Sequence, residues 1–234
     1  MRLPRLALPG LPQHIVIRGI NGQAIFCTDH DHQMFLVYLE AAIAKYRCDL
    51  HAYTLMPNHI HLLITPSCSN GVGKLVQLVA RQYVQYFNQQ YQRTGTLWEG
   101  RYKSALVDSD TFAINVYRYI ERNAVRNNLV KHPSEYLWSS YRHNAMNLFD
   151  RLIKPCDAYT ALGETAEQRV CNYAKQAENP LDKGTLKIIR QETNRSRVLG
   201  SEQFKRKIEK LLDIDLQIKP RGGDRRSLAY LQSI

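Results

Sequence analysis

The sequence predicts an α+β fold: a ferredoxin-like antiparallel sheet (βαββαβ) with one added helix, followed by a helical, basic C-terminal region. Three observations predict it. Residues 13–107 switch between strand and helix periodicity in the order strand, helix, strand, strand, helix, strand. A helical apolar stripe over 110–122 follows that unit. Beyond Tyr141 only helical patterns recur, and positive charge accumulates: residues 183–234 hold 13 Lys and Arg against 6 Asp and Glu.

Residues 13–18 (QHIVIR) alternate, with Ile15 and Ile17 on one face, as a short strand does. Asn21-Gly22 then signals a turn. Residues 30–46 space Phe35, Leu36, Leu39, Ile43 and Tyr46 as a helix would. The apolar-rich runs 49–55 and 59–65 are joined by Met56-Pro57-Asn58, and Pro and Asn suit a tight hairpin turn. Gly71 and Gly73 open a helix to about Gln90, with Leu75, Leu78, Val79, Tyr86 and Phe87 on its stripe and Gln82 as the polar exception. Thr94-Gly95 breaks it. Residues 97–107 read as strand, and Asp108 or Ser109 can cap the helix over 110–122. Thr165 and Gln168 form a capping-box pattern, and further helices are expected over about 165–177, 182–192 and 201–212. Residues 219–226 (KPRGGDRR) lack an apolar pattern and predict a flexible tail. The expected organisation is a domain over 1–150 and a helical, basic extension over 151–234.

Composition narrows the function classes. The chain has 234 residues, long enough for one or two domains with a core. With 44% hydrophobic and 23% charged residues it is not a wholly disordered chain. No apolar stretch approaches the ~18 residues of a membrane helix. Pro4, Pro9 and Pro12 interrupt the leucines at the start, which is unlike a secretory signal. Five cysteines without a CxxC predict neither a disulfide framework nor a cysteine zinc site. The expectation is a cytoplasmic protein without a membrane partner. The net charge of +11 points to phosphate-backbone binding, although a solvated tail or an acidic protein partner would share that composition.

Two segments carry chemistry. In the strand His59-Ile60-His61-Leu62-Leu63-Ile64, His59, His61 and Leu63 share one face and Ile60, Leu62 and Ile64 the other. Two imidazoles about 6–7 Å apart along a strand can converge on one metal ion; a pair of polar residues on a half-exposed strand would read the same way. No Asp or Glu lies within the motif, so a third ligand must come from elsewhere. In the helix 110–122, Phe112, Val116, Tyr119 and Asn123 lie on one face. Tyr119 there is either core or a nucleophile delivered to a phosphate. Tyr117 points about 200° away at ~100° per residue. Arg118, Arg122 and Arg126 lie close by and could contact phosphates, as solvated arginines also would. The remaining histidines, His14 among them, read as structural or solvated. Gly71-Val72-Gly73-Lys74 lacks the spacing and hydroxyl of a phosphate-binding loop.

Taken together, LMPNHIHLLI (55–64), TGTLWEGRYKS (94–104), YIERNAVRNNLV (119–130) and LWSSYR (137–142) resemble the REP-associated tyrosine transposases of the one-tyrosine His-hydrophobe-His superfamily. LPGLPQHIVIRG near the start, and ALGETAEQR and LGSEQFKRKIEKLL near the end, extend the resemblance over most of the chain. It implies a bacterial, nucleoid-associated nickase and strand transferase acting on single-stranded or hairpin DNA. It also implies that the added helix is catalytic, with Tyr119 as nucleophile, His59, His61 and Asn123 as metal ligands, and a divalent metal, Mg²⁺ or Mn²⁺. Arg18, Arg101, Lys103, Arg118, Arg122 and Arg126 are the expected DNA contacts. The assembly expected is a monomer or a homodimer. The sequence departs from the family at Ala124, where proline is usual, and at Asn127-Asn128, where Ala-Gly is common. Two other readings stand beside this one: a domesticated hairpin-DNA binder that no longer cuts, and a metal phosphoesterase that uses water.

Overall fold

A computed structural model describes residues 5–216; the expected tail beyond 219 lies outside the described residues. The βαββαβ order is found: β1 (Gln13–Arg18), α1 (Asp29–Tyr46), β2 (Cys48–Met56), β3 (His59–Pro66), α2 (Gly71–Gln90) and β4 (Lys103–Val107). Then come α3 (Ala113–Glu121), α4 (Asn123–Arg126), α5 (Tyr141–Met146), α6 (Asp157–Thr160), α7 (Ala166–Glu178), α8 (Lys183–Arg195), β5 (Val198–Leu199) and α9 (Glu202–Leu212). The strands form one sheet in the order β2-β3-β1-β4-β5. The first four are antiparallel, but β5 joins β4 in parallel, so the sheet is mixed rather than purely antiparallel.

Strand periodicity divides the core. Ile15, Ile17, Ile60, Leu62 and Ile64 face α1 and α2, packing with Phe35, Leu39, Leu75 and Val79. Ala52, Leu63, Ala105 and Val107 face the other way, against Val116, Tyr117, Tyr173 and Ile189. Helices therefore cover both faces, with α3, α7 and α8 forming the second layer. The phase of β2 changes at a bulge between Leu50 and Ala52, which keeps both Leu50 and Tyr53 on the α1–α2 side. One compact unit extends through Ser201, so α6, α7 and α8 belong with the sheet core; α9 forms part of a second unit.

Local chemistry sets several boundaries. Thr28 and Asp31 form a capping box at α1, and Thr165 with Gln168 does the same at α7. Asn21 and Gly22 both have positive φ, which Asn and Gly tolerate, and they close the turn after β1. The expected strand over 97–107 shortens to β4, leaving Trp98 in an isolated bridge to Gly19. The added helix begins at Ala113 with Phe112 as its cap. Neither Asp108 nor Ser109 caps it, because the Asp108 carboxylate instead accepts from the Asp110 amide, the Thr111 hydroxyl and Ser201. The helix is interrupted at Arg122 and resumes as α4, after which Asn128 turns the chain with φ 57°.

Glu121 anchors α3 to its layer. It is fully buried and accepts from Ser140 Oγ, Asn144 Nδ2 and Tyr173 Oη. Burial outweighs those donors and raises its carboxyl to about 7. The folded chain thus holds this proton more tightly than the unfolded chain. Its contribution to stability is full below about pH 4.5 and is lost as pH rises through about 7. Glu121→Gln should therefore gain stability relative to wild type between pH about 5 and about 8, measured by urea midpoints; a stability difference independent of pH would contradict this.

Candidate active site

The pairing register of β1 with β3 brings the polar groups together. Val16 lies opposite His61, Arg18 opposite His59 and His14 opposite Leu63. Residues opposite one another share a face, so His14, Arg18, His59 and His61 all project toward the layer that contains α3 and α8. A cavity of about 270 Å³ lies there. His14, His59, His61, Tyr119 and Asn123 line it, with Arg18 and, from α8, Arg190, Thr193 and Asn194 at its walls. No carboxylate lines it among the described residues, so the cavity suits an anion.

Hydrogen bonds orient the imidazoles. Asn58 Nδ2 donates to the Gly22 carbonyl at 3.1 Å, which turns its Oδ1 toward His59 Nδ1, 2.6 Å away. An amide oxygen only accepts, so His59 carries its proton on Nδ1 and presents a lone pair at Nε2. The Asn123 carboxamide faces that Nε2 at 3.2 Å, and its Oδ1 accepts from Asn127 Nδ2 at 2.7 Å. His61 Nδ1 lies 2.9 Å from His14 Nε2, and His14 Nδ1 lies 2.9 Å from Thr193 Oγ1. The His14 and His61 rings stack at 5.1 Å, and both stand edge-on to Tyr119.

The three histidines are neutral at physiological pH. Burial, with the Arg126 charge behind it, lowers His14 to about 3. Burial with Arg18 and Arg126 lowers His59 to about 4. His61 is pushed well below its ordinary value by burial and by its cationic and imidazole neighbours. Neutral imidazole is the form that binds a metal.

Tyr119 comes from α3, and Arg126 holds its side chain. The Arg126 guanidinium sits 4.2 Å from the ring centroid and also donates to the Tyr119 carbonyl. Burial lowers Arg126 to about 10, which leaves it charged at neutral pH. A side-chain contact with Tyr119 and the Tyr119 charge both act to raise Arg126 again. Tyr117 points the other way and packs on Tyr159 and Tyr173, as its position around the helix implies.

Of the expected DNA contacts, Arg18 lines the cavity and pairs with Glu99 at 3.4 Å. Lys103 donates to Asn194 Oδ1, and Arg101 is exposed away from the cavity lining. Arg118 donates to the Asn179 carbonyl, and Arg122 to the Ala177 and Glu178 carbonyls. These two guanidiniums satisfy the C-terminal end of α7 and its exit. The sequence reading missed His14, Asn58, Asn127 and Thr193. For His14 the signal was present: if Ile15 and Ile17 share one face of the strand, His14 must lie on the other.

Residues 8–123 match the family model described as Transposase IS200 like. Over that span the chain belongs to the IS200-like transposase family. Among solved structures, the REP-associated tyrosine transposase bound to a REP hairpin matches with a TM-score of 0.53 at 15% identity, covering 68% of this chain and 93% of that one. A candidate transposase from Deinococcus radiodurans matches with a TM-score of 0.37 at 24% identity, covering 52% of this chain and 97% of that one. No curated protein matches. The first of these structures supports the fold, and the family supports a transposase role. No helix among the described residues is long and apolar enough to cross a membrane.

If Tyr119 were a core residue with a satisfied hydroxyl, Tyr119→Phe would cost about 1 kcal/mol or more. Because Arg126 lies over the ring, and phenylalanine keeps that contact, we expect a change within about 0.5 kcal/mol by urea unfolding. A loss above about 1 kcal/mol would assign the tyrosine to the core.

Proposed function

We propose that this transposase-family chain is a single-stranded DNA endonuclease and strand transferase that cuts and rejoins hairpin-flanked DNA through a 5′-phosphotyrosine intermediate. The observation that carries the reading is the Tyr119 side chain beside two neutral imidazoles and a carboxamide, in a cavity edged by arginines and without a carboxylate among its described lining residues.

The donor set fits a divalent cation. His59 offers an Nε2 lone pair fixed by Asn58, His61 offers its Nε2, and a half-turn of the Asn123 carboxamide would bring Oδ1 where Nδ2 now stands. Among the described residues no three His, Cys, Asp or Glu side chains group as a metal site, and the third protein ligand in this reading is the Asn123 amide. When bound, Mg²⁺ or Mn²⁺ would offset charge developing on the scissile phosphate; of the two, the imidazole donors suit Mn²⁺ better.

The chain's own groups do the rest. The Tyr119 oxygen attacks phosphorus, its proton is lost, and the phosphorus–O3′ bond breaks to leave a 3′-hydroxyl and a 5′-phosphotyrosine. The 3′-hydroxyl of a second end reverses the step, so joining needs no nucleotide. Arg126 holds the tyrosine ring, and Arg18 and Arg190 attract the backbone. The basic extension over 151–234 adds DNA contact through α8. The protein acts as a monomer or a homodimer in the bacterial cytoplasm at the nucleoid.

End-labelled hairpin DNAs from the protein's own genome, incubated with Mn²⁺ or chelator and run on denaturing gels, test this. A metal-dependent covalent adduct is expected, absent in Tyr119→Phe and reduced at least about 100-fold in His61→Ala. Nicking without an adduct, unchanged in Tyr119→Phe, would instead indicate a phosphoesterase using water. Tight binding without cleavage would indicate a hairpin binder.

A further inference from the structure

Two hydrogen-bond chains reach the metal-ligand histidines from behind, and only one has its direction fixed by groups of a single sense. His59 is fixed by Asn58, whose amide is itself fixed by a backbone carbonyl. The chain behind His61 is Thr193 Oγ1, His14 Nδ1, His14 Nε2 and His61 Nδ1, with both links at 2.9 Å. Each imidazole in it is buried, and a threonine hydroxyl can donate or accept. The chain can therefore run in either direction. If Thr193 donates, both histidines are protonated at Nε2 and His61 turns an N–H toward the cavity. If Thr193 accepts, both are protonated at Nδ1 and His61 turns a lone pair toward the cavity.

We infer that His14 is a positioning residue: its Nε2 accepts from His61 Nδ1–H while its Nδ1–H donates to Thr193 Oγ1 on α8, which holds His61 in the tautomer that leaves a lone pair on Nε2. The inference rests on the proposed metal site. It extends that site to the C-terminal part of the compact unit, because α8 supplies Thr193. The stacked geometry supports it: the two rings lie 13° from parallel, so His14 fixes the plane of His61 as well as its proton. Carbonyl or carboxylate acceptors commonly serve metal-binding histidines in this way; here a second histidine does so. The relay ends on a helix distant in sequence, with His14 and Thr193 separated by 179 positions.

The relay is tested on the full-length protein by two readouts other than activity. Long-range ¹H–¹⁵N correlation spectra report which ring nitrogen carries the proton. The metal-free wild type should show both His14 and His61 protonated at Nδ1, and protonation of His61 at Nε2 would overturn the inference. Mn²⁺ titration followed by electron paramagnetic resonance gives affinity. His14→Phe keeps an aromatic ring on His61 but removes both nitrogens, and should weaken Mn²⁺ about 10–100-fold. Thr193→Val should weaken it in the same direction, while Thr193→Ser, which keeps the hydroxyl, should restore it. Unchanged affinity in folded His14→Phe, with His61→Ala abolishing binding, would overturn the relay and leave the proposed metal site standing. If the wild type bound no Mn²⁺, the metal reading and the relay's role in it would both fail. A wild type that binds Mn²⁺ through the relay but forms no DNA adduct would support the relay and refute the nuclease.

Discussion

The antiparallel pairing of β1 with β3 is the constraint on which the rest depends. Strand side chains alternate faces, so the register that puts Val16 opposite His61 also decides what every neighbour does. Ile15, Ile17, Ile60, Leu62 and Ile64 turn to the α1–α2 core in the same stroke that turns His14, Arg18, His59 and His61 to the opposite face. A slip of one residue would bury the imidazoles among leucines and isoleucines. The burial that stabilises the sheet therefore also enforces the geometry of the polar cluster.

The second layer completes what the sheet begins. α3 is held from behind by Glu121 and Tyr117, which lock into α5, α6 and α7, and this frees Tyr119 to stand over the histidines. Helical spacing makes the division: Tyr117 and Tyr119 are two residues apart and so face different ways. α8 lies on the other side of the cavity and supplies Arg190, Thr193 and Asn194. The site is thus built from both ends of the compact unit, and the extension is part of its wall.

Much of this was legible in the sequence because it is local. The His59–His61 alternation, the Asn21-Gly22 turn, the hairpin at Pro57-Asn58 and the capping box at Thr165 each rest on a few neighbouring residues. The start of α3 was misread because Asp108 found partners in Ser201, far along the chain, instead of capping the helix. β5 has two residues, too few for any periodicity to register, and its parallel pairing is a purely tertiary event. The same holds for Thr193, whose role appears only once α8 packs near β1. His14 was within reach of the strand pattern, yet its partner lies 47 positions away. Arg118 and Arg122 looked like surface cations, and the fold spends them on the carbonyls that end α7.

The most direct test of the central claim is to digest the DNA-linked protein and map the nucleotide by mass spectrometry. The account predicts a 5′-phosphonucleotide on the tryptic peptide Tyr119–Arg122, at Tyr119. Attachment to any other of the 14 tyrosines would contradict it, and so would cleaved DNA with no peptide attached.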